Sequence, residues 1–85
     1  MYDYKKMKPG LYTDRGFRVI ITIHNRAREM SESSGAFTMS ALISGLTGDV
    51  WFMMAAVDYL AEHGYLALKW EGPSSQDNIY TFKGW

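Results

Sequence analysis

The sequence predicts a small α+β domain, mostly helical, in which three helices are followed by a C-terminal β-hairpin. Two segments, 13–30 and 50–63, repeat apolar residues every three or four positions, which is the spacing of an amphipathic helix. Two later runs, 65–70 and 78–83, partly alternate apolar and polar residues around a loop rich in Gly, Pro and Ser, which is typical of an antiparallel hairpin. The 85 residues fit one domain, and 47% of them are hydrophobic, enough to build a core.

Residues 1–12 are predicted to form a basic N-terminal arm, and residues 13–85 the single folded domain. The arm is polar, its first ten residues are interpreted as a loop, and Pro9-Gly10 closes that loop. Its lysines, Lys5, Lys6 and Lys8, alternate with tyrosines, a composition suited to contact with phosphates.

The first helix is predicted over 13–30, with Thr13 as N-cap and Asp14 as an acid in the first turn. Residues 17–23 leave an alternative open, because they are rich in β-branched side chains and partly alternate, as a strand would. The length of the pattern and its continuation through Ala27-Arg28-Glu29 favour the helix.

Small polar residues at 31–36 predict a loop, and Phe37-Thr38 is long enough only for one bridge of a strand. A short second helix is predicted over 41–46, capped by either Thr38 or Ser40.

The third helix, 50–63, is the clearest in the chain. Asp49 is placed to cap it, and Gly64 stands where a left-handed residue commonly ends a helix. Its apolar repeat comprises Val50, Met53, Val57 and Leu60.

Charge is balanced over the chain but unevenly distributed. Residues 1–28 carry seven basic and two acidic side chains, a net +5, and residues 29–85 carry two basic and seven acidic, a net −5. An anionic partner is therefore expected to meet the N-terminal third. The alternative is that basic and acidic faces pair within the fold or across a dimer.

Several classes of protein are not expected from this sequence. It has no cysteine, no secretory signal is visible, and its longest apolar run, 50–57, is too short to cross a bilayer, so we expect a cytoplasmic protein without a membrane partner. His24 and His63 lack metal-ligand spacing, and no nucleophile elbow or phosphate-binding glycine motif occurs. Neither an enzyme nor a metal, cofactor or small-molecule site is expected.

The segments Phe37-Thr38-Met39-Ser40-Ala41-Leu42-Ile43 and Met53-x-x-x-Val57-x-x-Leu60-x-x-x-Gly64-Tyr65-Leu66 resemble the winged-helix superfamily. The first is similar to its strand 1 and helix 2, the second to its third helix and the exit into the wing. The likeness covers roughly residues 13–85 and implies a winged helix-turn-helix domain. Most such domains bind duplex DNA, with the third helix in the major groove and the wing along the backbone, although fold alone does not determine function.

The third helix departs from the pattern of DNA readers. Between Thr47 and His63 there is no Arg, Lys, Asn or Gln, and Asp49, Asp58 and Glu62 give a formal −3. Double-stranded DNA is therefore expected to be bound by the arm, the start of the first helix and the wing, as in a transcriptional regulator or accessory factor. The predicted nucleic-acid-binding residues are Lys5, Lys6, Lys8, Arg15, Arg18, Lys69, Ser74, Ser75, Gln76 and Lys83.

A second hypothesis is a winged helix that binds protein, as a regulator, an inhibitor or a homodimer. Its adhesive surface would be an aromatic and methionine patch on the third helix, because aromatic anchors dominate interfaces and Met adapts to partner surfaces. That patch comprises Trp51, Phe52, Met54 and Tyr59, and the alternative is that Trp51 or Phe52 is buried in the core of the monomer.

Overall fold

The computed structural model describes residues 3–84 and confirms a mostly helical α+β class. In chain order, the helices are α1 (Tyr4–Met7), α2 (Asp14–Ser34), α3 (Met39–Ile43) and α4 (Val50–Glu62), and the strands are β1 (Ala36–Thr38), β2 (Leu66–Trp70) and β3 (Ile79–Phe82). Two 3₁₀ turns, Lys8–Tyr12 and Ser75–Asp77, complete the regular structure of these residues.

The start of α2 is the predicted one, and its end lies four residues further on. Thr13 caps the helix, and its side-chain oxygen accepts a hydrogen bond from Gly16 N at 3.1 Å. Residues 17–23 are helical, so the strand alternative is wrong. The predicted loop at 31–36 is wrong at 31–34, because the helix continues to Gly35, whose φ of 79° suits a glycine.

Side-chain caps also mark the start of α3 and of α4. Thr38, and not Ser40, caps α3, so this helix covers 39–43 where 41–46 was predicted. Asp49 caps α4 as predicted, and Gly64 adopts the expected left-handed conformation, with φ of 83°.

The sheet is antiparallel, with strand order β1-β3-β2. β3 pairs with β2 as the predicted hairpin, and a bulge lies between Leu68 and Trp70. On its other edge β3 pairs with β1, so that Phe37 lies opposite Tyr80. The strand synthesised last therefore occupies the centre of the sheet.

The core lies between α2, α4 and the sheet. Its largest fully buried side chains are Tyr80, Leu11, Ile23, Met39, Leu42, Leu60 and Val57. α4 contributes most to it, because Met53 through Val57 form an unbroken buried run. Such a run leaves this helix little surface for a ligand.

The predicted polar arm is wrong as a description of residues 4–12. This segment, called here the N-terminal segment, forms α1 and the 3₁₀ turn Lys8–Tyr12 and packs against α2 and α4. Leu11 is completely buried, and Tyr4 and Met7 pack against the core. The free energy gained by burying these three side chains holds the segment against the core, although the lysines between them favour water.

Candidate interaction surfaces

The N-terminal segment covers the outward face of α4 from Ala55 to Glu62. The hydroxyl of Tyr4 donates a hydrogen bond of 2.5 Å to Glu62 Oε2, and Lys8 Nζ lies 2.9 Å from Glu62 Oε1. Ala55, which precedes Glu62 on the same face, has no exposed surface. This part of the outward face is therefore covered, whereas Trp51 in the first turn of α4 is 45% exposed.

These contacts alter the acidity of the groups that make them. The hydrogen bond from Lys8, followed by that from Tyr4, lowers the pKa of Glu62 below its usual range. Burial, followed by the hydrogen bond to Glu62, raises the pKa of Tyr4 above its usual range. Both groups therefore keep the protonation that the contact needs at neutral pH.

The predicted DNA-binding lysines separate into two kinds. Lys5 and Lys6 are exposed on α1, whereas Lys8 forms a salt bridge with Glu62. Lys69 and Lys83 are exposed on the hairpin. The lysines available to a polyanion are thus spread over two separate parts of the molecule.

Arg15 and Arg18 are exposed at the start of α2, where they border a cleft of about 260 Å³. The guanidinium of Arg15 lies 5.8 Å from the ring centre of Phe52. The cleft also contains Asp49, the capping residue of α4, which opposes binding of an anion. Arg26, which contributes to the basic N-terminal third, donates to the carbonyl of Ser44 at 2.9 Å and so stabilises the end of α3.

Most side chains at the predicted wing tip contact other groups of the protein. The hydroxyl of Ser74 accepts a hydrogen bond from Gln76 N at 3.2 Å, and the Gln76 amide lies 3.8 Å from the sulfur of Met54. Ser75 is exposed. Asn78 anchors the loop, because its side chain accepts from Gly72 N at 3.0 Å. Of the three predicted contacts in the loop, Ser74 and Gln76 therefore have partners inside the protein.

The predicted aromatic patch does not form one exposed surface. Trp51 is 45% exposed, but Met54 is only 4% exposed and belongs to the core. Phe52 and Tyr59 are partly buried, and Tyr59 stacks on His63 with ring centres 4.0 Å apart. Met54 does not belong to an exposed patch because it lies on the side of α4 that the hairpin loop covers.

A more apolar surface lies along α2, where sequence reasoning did not place one. Phe17 and Ile21 are 50% and 55% exposed, and they border a groove of about 440 Å³. His24, Tyr59 and Tyr65 line the rest of it, and the His24 ring meets that of Tyr65 edge-on, with centres 5.6 Å apart. The signal was present in the sequence, since Phe17 and Ile21 lie one turn apart.

Two further kinds of feature, a membrane span and a metal cluster, are absent from residues 3–84. No helix within residues 3–84 combines the length and apolar character needed to span a bilayer. Among the same residues, no three His, Cys, Asp or Glu side chains cluster closely enough to hold a metal ion. Comparison of the chain with known protein families, curated proteins and solved structures finds no match.

Proposed function

We propose that the chain is a winged-helix domain that acts by binding a protein, and that α4 is a scaffold and not a reader of DNA. The order of elements supports the fold assignment: α2, β1, α3, α4 and then a hairpin whose last strand lies between the other two. The function rests on the surfaces, because this fold serves several functions.

The single observation that carries the proposal is that the N-terminal segment covers the outward face of α4 from Ala55 to Glu62. A winged helix that reads bases inserts this helix into the major groove, which requires an open face with donors and acceptors. Here Tyr4 and Lys8 are bound to Glu62 on that face, and residues 53–57 are buried. Insertion would require the N-terminal segment to leave and would then present acids to the phosphates.

Charge and apolar exposure support the same conclusion. The chain has no net charge, so it lacks the overall positive field that raises association rates with nucleic acid. Phe17 and Ile21 instead expose apolar surface beside a groove, and such patches mark sites of protein contact.

The test is fluorescence anisotropy of a labelled random duplex, titrated with the protein at about 50 mM and about 200 mM salt. We expect no binding that depends on salt. An affinity that falls steeply with salt would contradict the proposal, because release of counterions from phosphates would then drive the association.

A second candidate function, contact with the phosphate backbone of double-stranded DNA, is favoured by the exposure of Lys5 and Lys6 on the docked N-terminal segment. If it is correct, K5A/K6A weakens binding equally for all duplex sequences and flattens the salt dependence. The matched control K5R/K6R keeps both charges and should bind as the unmodified protein does. Equal affinity of the alanine and arginine variants would exclude this segment as the contact.

A further inference from the structure

The outward face of α2 carries an ordered arrangement of charge. Arg15 and Arg18 lie in the first half of this helix, and Glu29 and Glu32 lie in the second half. All four side chains are exposed. At about 100° per residue they fall within about 100° of arc, so they form one stripe along the helix.

This stripe is not neutralised from within the fold. Arg18, Glu29 and Glu32 form no ion pair with the described residues, and Arg15 lies over the ring of Phe52. The exposed side chains of Phe17 and Ile21 run along one edge of the stripe, beside the groove of about 440 Å³. The helix therefore has a second, unpartnered face with both charge and apolar surface.

Asp14 is also exposed on this arc, so the first end of the stripe has a net charge of +1 (Asp14, Arg15, Arg18) and the other end −2 (Glu29, Glu32). A stripe with ends of opposite net charge is complementary to itself when two copies run antiparallel. A single register places Arg18 opposite the partner's Glu29 and Arg15 opposite the partner's Glu32, because both pairs of residue numbers add to 47. Two-fold symmetry then doubles these two pairs to four. Parallel copies would bring like charges together.

The apolar edge agrees with the same arrangement. The two-fold axis of an antiparallel helix pair is perpendicular to the plane that contains both helices, so the Phe17 edges of the two copies emerge on the same side of the dimer. Ile21 then stands opposite residue 26 of the second copy, next to the part of the groove formed by His24 and Asn25. Water would leave the exposed surface of Ile21 on association.

We infer that the chain forms a symmetric dimer through the outward face of α2, with Arg18 and Arg15 of each copy opposite Glu29 and Glu32 of the other. This inference rests on the proposed function, a protein-binding winged helix, and identifies a second copy as a partner. One helix face of about 32 Å gives an interface at the small end of the specific range, so we expect a dissociation constant on the order of micromolar.

The test is sedimentation velocity from about 0.1 µM to about 100 µM protein, a range that brackets a micromolar constant. We expect R18E and E29R each to weaken self-association roughly tenfold or more, because two ion pairs become two like-charge contacts. The double variant R18E/E29R restores it, and an equimolar mixture of the two single variants forms a heterodimer. Ile21→Ser weakens it roughly tenfold through the lost apolar contact.

Lys69→Glu is the matched control, since it reverses an exposed charge on β2, and we expect it to leave self-association unchanged. Circular dichroism establishes that every variant is folded. A monomer at all concentrations, or folded variants in which the double reversal does not restore association, would overturn the dimer. Duplex binding decides the proposed function separately: a monomer that does not bind duplex removes only this inference.

Discussion

α2 and α4 pack against each other, but the surfaces that they leave to solvent differ. α4 has thirteen residues, six of them buried, and the N-terminal segment covers its outward face from Ala55 to Glu62, which leaves Trp51 exposed at its start. α2 has twenty-one residues and buries only five of them, all facing the core. The helix that the winged-helix resemblance would offer to DNA is thus an internal element, and the helix that it treats as support has the free face.

A cavity beneath α4 is expected to lower stability more than any other change considered. Leu60→Ala removes a side chain that is 1% exposed and should lower the free energy of unfolding by about 2–5 kcal/mol. Ile21→Ala on α2 is the control and should change it by no more than about 0.5 kcal/mol. Urea unfolding measures both, and equal losses would mean that the α2 face is not free in the monomer.

The crossing of the N-terminal segment over α2 gives the second prediction. A Cβ on Gly16 would lie 2.5 Å from the backbone of Leu11. Gly16→Ala should therefore destabilise the protein by roughly 1–3 kcal/mol, although alanine in an open helix would stabilise it by about 1 kcal/mol. Gly10→Ala is the milder control, because its Cβ would meet the movable ring of Phe52 at 3.1 Å. If Gly16→Ala unfolds at a higher temperature than the unmodified protein, the close approach of Leu11 to Gly16 is contradicted.

A smaller effect is expected at the start of α4. Asp49 Oδ1 accepts a hydrogen bond of 2.9 Å from Trp51 N, so Asp49→Ala should cost about 1 kcal/mol of unfolding free energy. Asp49→Asn keeps an acceptor and should recover most of the loss, as measured by urea unfolding. Equal losses in the two variants would show that the cap does not stabilise the helix.

The smallest effect concerns the cover over α4 and depends on pH. The pKa of Glu62 is lowered in the folded protein, so its contact with Tyr4 and Lys8 stabilises the fold above the unfolded pKa and is lost as pH falls through the folded pKa. Amide hydrogen exchange of residues 4–8 should quicken there beyond the intrinsic effect of pH. Glu62→Gln should remove this dependence and Glu71→Gln should not; identical profiles for all three proteins would contradict it.

Much of the fold could be predicted because its signals are local. Thr13 and Asp49 begin helices with capping side chains, Gly64 ends one, and the apolar spacing in 50–63 identified a helix. The extension of α2 to residue 34 was missed because four residues of low helix propensity or high polarity looked like a loop. Gly35 was the true end signal.

The N-terminal segment could not be placed from its charge. Tyr4, Met7 and Leu11 have helical spacing, but they were outweighed by the lysines between them, and only the tertiary fold shows that α4 offers a surface for them. The contacts of Glu62 were missed for the same reason, since its partners lie 54 and 58 residues away. Contacts at such separation leave no periodic trace in the sequence.

The strand order has a consequence for biosynthesis. Because β3 lies between β1 and β2, a chain emerging from the ribosome exposes two unpaired strands until residues 79–82 have been released. The helices can form before that point, but the sheet closes only when its central strand arrives. Until β3 follows them, β1 and β2 are therefore open to pairing with strands of other chains.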